Sequence, residues 1–165
     1  MINKDKISHI ESALNKKILF SKLLSNSFGI NCVKITTDDK MEYIVKYYNI
    51  INDGFNAINA ETKNLFFLNK LNLNFFPKTS SKDNDLLIMS FIDNNKIQPN
   101  ETKEDLLKCI IKMHSLKGNQ YGFDFDTQIG GLKQNNQYSN NWVNFYRENR
   151  IGYIFELINK SIIFI

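Results

Sequence analysis

The sequence predicts an α+β protein in which a small antiparallel sheet with helices is followed by a mostly helical segment. Three observations predict it. Residues 30–37 and 42–47 are short runs rich in Val, Ile, Thr and aromatic residues and 86–92 is a continuous apolar run, and all three read as strands. The break Asp38-Asp39-Lys40 between the first two is short and polar, as an antiparallel hairpin requires. Beyond Thr102, apolar residues recur mainly at helical spacing.

A chain of 165 residues is long enough to bury a core, and suits one domain or one lobe with part of a second. Thirteen Phe and seven Tyr argue against disorder, because disordered chains lack the aromatic surface a core needs. The net charge of +4 is mild and the lysines are interspersed with acids, so a nucleic-acid partner is not indicated. Cys32 and Cys109 are far apart, with no second cysteine at ligand spacing, and read as reduced thiols. The N-terminus lacks a long apolar core and no run approaches membrane-spanning length, so the expectation is a soluble, cytoplasmic protein with no membrane partner.

The first element expected is an amphipathic helix over residues 5–20, from Ile7, Ile10, Leu14 and Ile18. Strands over 21–27 and 30–37 follow, joined by Ser25-Asn26-Ser27-Phe28-Gly29-Ile30-Asn31. With a single glycine this connection reads as a β-turn and matches no G-x-G-x-x-G or Walker pattern. Next comes Glu42-Tyr43-Ile44-Val45-Lys46-Tyr47, which sets one lysine among apolar and aromatic neighbours. A helix over 57–71 carries Glu61 and a stripe of Leu65, Leu68 and Leu71. If strand and helix pack together, Glu61 reaches Lys46. Such a pair fixes an ammonium against nucleotide phosphates in kinases, although spacing alone does not separate it from an ordinary surface pair.

Pro77 closes an apolar stretch, Ser80-Ser81-Lys82-Asp83-Asn84 reads as a surface loop, and the apolar run 86–92 reads as a central buried strand. The polar Asp93-Asn94-Asn95-Lys96 marks the best lobe boundary, dividing the chain into 1–92 and 93–165. Thr102-Lys103-Glu104-Asp105 reads as a capping box for a helix over 106–116, buried through Leu106, Leu107, Ile110, Ile111 and Met113. His114 near its end lacks companion ligands and reads as a structural histidine. Residues 121–137 read as a loop, with Asp124 and Asp126 as turn and capping residues. Ser139-Asn140-Asn141 caps a last helix bearing Trp142, Phe145, Arg147, Arg150, Ile151, Ile154 and Leu157. Its aromatic residues read as a packing stripe, with base stacking as the rival. The apolar end Ser161-Ile162-Ile163-Phe164-Ile165 is expected to dock on a partner surface or to continue into further chain.

The run Tyr121-Gly122-Phe123-Asp124 with Ile129-Gly130, then Trp142-Val143-Asn144-Phe145 with Arg147 and Arg150, resembles the fructosamine (ketosamine) kinase family in kind and in order. Other segments fall into register: the Lys46 strand, the Glu61 helix, the strand over 87–92, and the helix over 106–115 ending in Met113-His114. The resemblance implies a kinase-like N-terminal lobe, a hinge, and the first helices of a second lobe, in the aminoglycoside-phosphotransferase-like superfamily. It implies ATP and Mg as cofactors and the sugar hydroxyl of a glycated amine as acceptor. Lys46 would hold nucleotide phosphates and Glu61 would fix it. Gly29, Ile30 and Asn31 would belong to the covering loop, while Ser90, Phe91 and Ile92 would offer backbone groups to adenine.

The chain departs from the family at Ser27 and Phe28, where glycines are usual, and no His-Gly-Asp segment follows Arg150. Phosphoryl transfer needs a metal and an aspartate near the acceptor hydroxyl. No catalytic or metal-holding residue is therefore assigned, and the chain is expected to be inactive alone, completed by a missing C-terminal half or by a homo-oligomer. The alternative is a non-catalytic binding or regulatory module that docks a partner through its apolar end.

Overall fold

The computed structural model describes residues 2–49, 54–80, 84–94, 102–129 and 132–162. The chain divides into two compact units, Met1–Asp93 and Asn94–Ile165.

In the first unit the order is α1 (Lys4–Leu14), β1 (Ile18–Ser27), β2 (Ile30–Thr37), β3 (Glu42–Tyr48), α2 (Ala57–Lys70) and β4 (Leu86–Ser90). The strands form one antiparallel sheet in the order β1-β2-β3-β4. α1 is capped by the Asn3 side chain, which accepts from the Lys6 N–H. It ends at Leu14, earlier than the periodicity suggests, because Asn15 turns into the left-handed region at φ 53° and its N–H bonds back to Glu11 and Ser12. Ile18 therefore opens β1, where its N–H donates to the Glu11 carboxylate at 2.9 Å.

Alternation along the strands separates two apolar layers. Val33, Ile35, Tyr43, Val45, Tyr47, Leu86 and Ile88 pack with Ile10 of α1 on one face. Leu87 packs with Ile58 and Leu65 of α2 on the other. The apolar run of β4 is shorter than expected and lies at the end of the strand order, not in its centre. Leu86, Leu87 and Ile88 are nevertheless fully buried, because layers cover both faces and the Lys78–Ser80 backbone covers the outer border. The Ser80 N–H donates to Ile88 O and the Ser90 N–H to Lys78 O, each at 2.8 Å. β1 forms the opposite border. Its ladder with β2 is interrupted between Ile18 and Phe20 and again between Leu23 and Ser25, and Leu19, Phe20, Leu23 and Leu24 are exposed.

In the second unit α3 (Thr102–His114) is followed by the hairpin β5 (Thr127–Ile129) with β6 (Leu132–Gln134), by α4 (Trp142–Tyr146), by a π-helical stretch Arg147–Gly152, and by α5 (Tyr153–Ile162). Thr102 lies inside α3 and is not its cap. The apolar face expected to be buried is exposed: Leu106, Leu107, Ile110, Ile111 and Met113 all face out. An amphipathic period shows that a helix has an apolar face; it says nothing of what covers that face.

Residues 121–137, expected to be a loop, contain the β5–β6 hairpin. The centre of this unit is polar. The buried Asn136 amide donates to Phe125 O and Thr127 Oγ1 and accepts from Arg150. Gly122, at φ 139°, passes so close to Asn136 O and Tyr138 that a Cβ would lie 2.8 Å from that oxygen, so only glycine fits. The expected single last helix is interrupted by its π turn. The expectations for Ser81 to Asp83, Asn95 and Lys96, Gly130 and Gly131, and the apolar tail from Ile163 lie outside the described residues, as do the side chains of Ser161 and Ile162.

Candidate functional site

Lys46 lies on β3 between Val45 and Tyr47, whose side chains enter the α1 layer, so alternation turns Lys46 to the α2 side. Glu61 is three residues after Ile58 and four before Leu65, both buried against the sheet, so it leaves the helix on the same face. The two meet as the sequence predicts. Lys46 Nζ donates to Glu61 Oε1 at 2.7 Å and to Oε2 at 3.0 Å. Both side chains are mostly shielded, 25% and 28% exposed.

Three residues not singled out from the sequence hold α2 in place. The Ala57 N–H, at the helix start, donates to the Tyr48 hydroxyl at 2.9 Å. The Asn56 side chain caps the helix by accepting from the Asn59 N–H, and its amide donates to Asp85 Oδ1 at 2.7 Å and to Asn84 O at 3.1 Å. α2 is thus tied to the end of β3 and to the entry of β4. The signal for Asn56 was present: Asn immediately before an apolar helical period is a cap.

Cys32 lies directly across from Lys46 in the β2–β3 register. Burial pushes its thiol up, an effect that the nearby ammonium partly opposes. Phe28 and Gly29 form a two-residue turn with φ of 52° and 73°, so the expected covering loop is the tip of a tight hairpin. Ile30 pairs with Tyr48 and joins the α2 layer. Asn31 alternates to the other face, where its amide is engaged by Asn26 and Asn49. At the end of β4, the Ser90 N–H is taken by Lys78 and the Phe91 N–H by Glu42. The Phe91 ring lies under Lys34 Nζ, 3.7 Å from the centroid, and Ile92 is exposed.

A nucleotide fits this set in one respect that can be tested on the structure. An ammonium has three N–H donors, and the Glu61 carboxylate takes two, which leaves one for a phosphate oxygen among the described residues. Mg has no such fit: among the described residues no three His, Cys, Asp or Glu side chains converge. A concavity among the described residues of the first unit lies elsewhere, between the end of α1 and the β2–β3 turn, beside Glu11, Asn15, Lys16 and Asp38. There Lys16 pairs with Asp39 and donates to the Tyr43 hydroxyl, while the Thr37 hydroxyl donates to Asp39 at 2.6 Å. These contacts serve to lock the turn. No helix among the described residues is long and apolar enough to cross a membrane.

A small antiparallel sheet with a helix on each face is the mixed α+β fold of kinase-like proteins. Comparisons agree. A candidate fructosamine-3-kinase from Thermobifida fusca, solved as a crystal structure, superposes with a TM-score of 0.80 at 18% identity, over 94% of this chain and 54% of that one. The streptomycin–ATP–APH(2″)-IIa ternary complex superposes with a TM-score of 0.56 at 16% identity, over 72% of this chain and 44% of that one. The fructosamine kinase family model matches residues 4–163, and the chain belongs to that family. A protein named probable ketoamine kinase from Pasteurella multocida is 30% identical over 111 residues, 64% of this chain and 38% of the relative. The chain thus spans roughly two-fifths to one-half of these proteins.

Proposed function

We propose that this chain is the nucleotide-orienting part of an ATP-dependent kinase that phosphorylates a sugar hydroxyl of glycated amines. The observation that carries this reading is the two-bonded Lys46–Glu61 pair, held by an α2 that Tyr48, Asn56 and Asp85 anchor. Lys46 would contact nucleotide phosphates and Glu61 would hold its rotamer. Gly29, Ile30 and Asn31 would cover them from the β1–β2 hairpin, Asn31 through its backbone. Adenine would meet the Ser90 carbonyl and the backbone at Ile92, since the Ser90 and Phe91 N–H groups are already engaged. Residues 1–92 would then be the N-terminal lobe, and 93–165 the hinge and the opening of the second lobe, in a cytoplasmic enzyme.

ATP would supply the transferable phosphoryl group. This chain's own residues would position phosphate; its sequence has no His-Gly-Asp segment to meet the acceptor hydroxyl. By itself this stretch would bind ATP weakly, and the transfer step would need groups that it does not hold. Calorimetric titration with ATP tests the reading: Lys46→Ala should weaken binding about tenfold, the scale of one charge-assisted contact, and equal affinity in the variant would remove the assignment.

A second reading, a non-catalytic module that docks a partner, draws on the exposed apolar residues of α3 and α5. It predicts partner binding that Lys46→Ala leaves unchanged.

A further inference from the structure

Trp142 is the only tryptophan of the chain. It is 52% exposed, and it stands in a group of rings: Tyr121 at 5.5 Å, Tyr146 at 5.6 Å and Phe145 at 5.8 Å between centroids. Tyr121 and Tyr146 are each 46% exposed, whereas Phe145 is buried and stacks beneath Trp142 with 27° between planes. The Arg150 guanidinium lies against the Phe145 ring at 4.8 Å. Tyr121 is fixed by two reciprocal backbone bonds with Ser139, each 2.9 Å, and the helix under Trp142 is capped by Asn141. The group is thus pinned at both ends. Amides border it: Gln120 donates to Asn140 at 2.9 Å, and Asn144 accepts from Arg147.

Half-exposed, preorganised aromatic faces attract an organic cation through the negative face of the ring, most strongly for Trp. A glycated amine carries such a cation: a secondary ammonium attached to a carbon of the sugar. We infer that Trp142, Tyr121 and Tyr146 form an acceptor-binding site that takes the ammonium on the ring faces, with the sugar hydroxyls against the bordering amides. This assignment rests on the proposed glycated-amine substrate and adds the residues that would select it.

The test uses the whole chain and the emission of its single tryptophan. Titration with Nα-acetyl-Nε-fructosyl-lysine should give a saturable change in emission, at affinity about tenfold above that for free fructose or Nα-acetyl-lysine. Tyr146→Ala should weaken it about threefold to tenfold, as loss of one cation–π partner does, and Tyr146→Phe should restore it. Circular dichroism verifies that each variant is folded. The inference is overturned by an absent or non-saturable response, by equal responses to fructose and to the glycated amine, or by tighter binding of adenosine. Acrylamide failing to quench Trp142, which would show the rings covered by a second copy, also overturns it. ATP titration by calorimetry reads the Lys46 assignment separately. ATP binding without a sugar response sinks only this site, and a sugar response without ATP binding sinks only the nucleotide assignment.

Discussion

Lys46 stands between two buried neighbours on β3, and Glu61 determines where its ammonium points. Glu61→Gln keeps the shape and removes the charge. It should cost about 0.5–1 kcal/mol of stability, as a part-exposed ion pair does, and lower ATP affinity severalfold; denaturant unfolding and calorimetry read the two effects. Asp39 is acid-sensitive: its bond to Lys16, then that from Thr37, hold its carboxyl down from 3.8 to about 2. A depressed carboxylate contributes stability that is present above pH 3.8 and is lost as pH falls toward about 2. Asp39→Asn should therefore lower the midpoint of urea unfolding at pH 7 and leave it indistinguishable from the unaltered chain below about pH 2; an unchanged difference across that window would contradict the assignment. At this scale the sequence was informative. A lysine in an alternating strand and a glutamate in phase with Ile58 and Leu65 could meet only if both lay on one face. Cys32 was not legible as a neighbour of Lys46, because cross-strand register depends on the β2–β3 turn, not on either strand alone.

Among the elements, α2 is held by contacts distant in sequence, and Asn56 supplies two of them as well as the helix cap. Asn56→Ala removes a helix cap and two bonds to the β4 entry. The expected loss is about 1–2 kcal/mol, read by chemical denaturation, together with weaker ATP binding because Glu61 moves with its helix. α3 makes the opposite case. Ile110→Glu places a charge on a face that is already exposed; it should change stability by less than about 0.5 kcal/mol and reduce any self-association seen by sedimentation. A loss of several kcal/mol would mean that this face is packed. Elements with strong periods were readable, α1 to α3 and β2 to β4. The β5–β6 hairpin was not, since three-residue strands are too short to show a period of two. Nor was the π turn at Arg147, whose extra residue leaves the apolar spacing on either side looking like one continuous helix.

For the molecule as a whole, the two units bury different things. The first has two apolar layers on one sheet, whereas Phe145 is the one buried apolar residue among the described residues of the second, which is centred on Asn136 and Arg150. Leu86→Ala, in the first, should cost about 2–5 kcal/mol and move the main thermal transition; a shift within error would show that β4 is not part of that layer. Family membership was legible because the Gly-Phe-Asp and Trp-x-x-Phe segments kept their order, while the exposure of α3 was not, since it depends on atoms that a helical period does not describe.

Among the described residues the Lys78–Ser80 backbone runs along the outer side of β4, which leaves β1 as the open border of this sheet. There the interruptions at Leu19 and Leu24 give an incoming strand no continuous row of partners. The border that exposes Leu19, Phe20, Leu23 and Leu24 is therefore a poor template for strand addition.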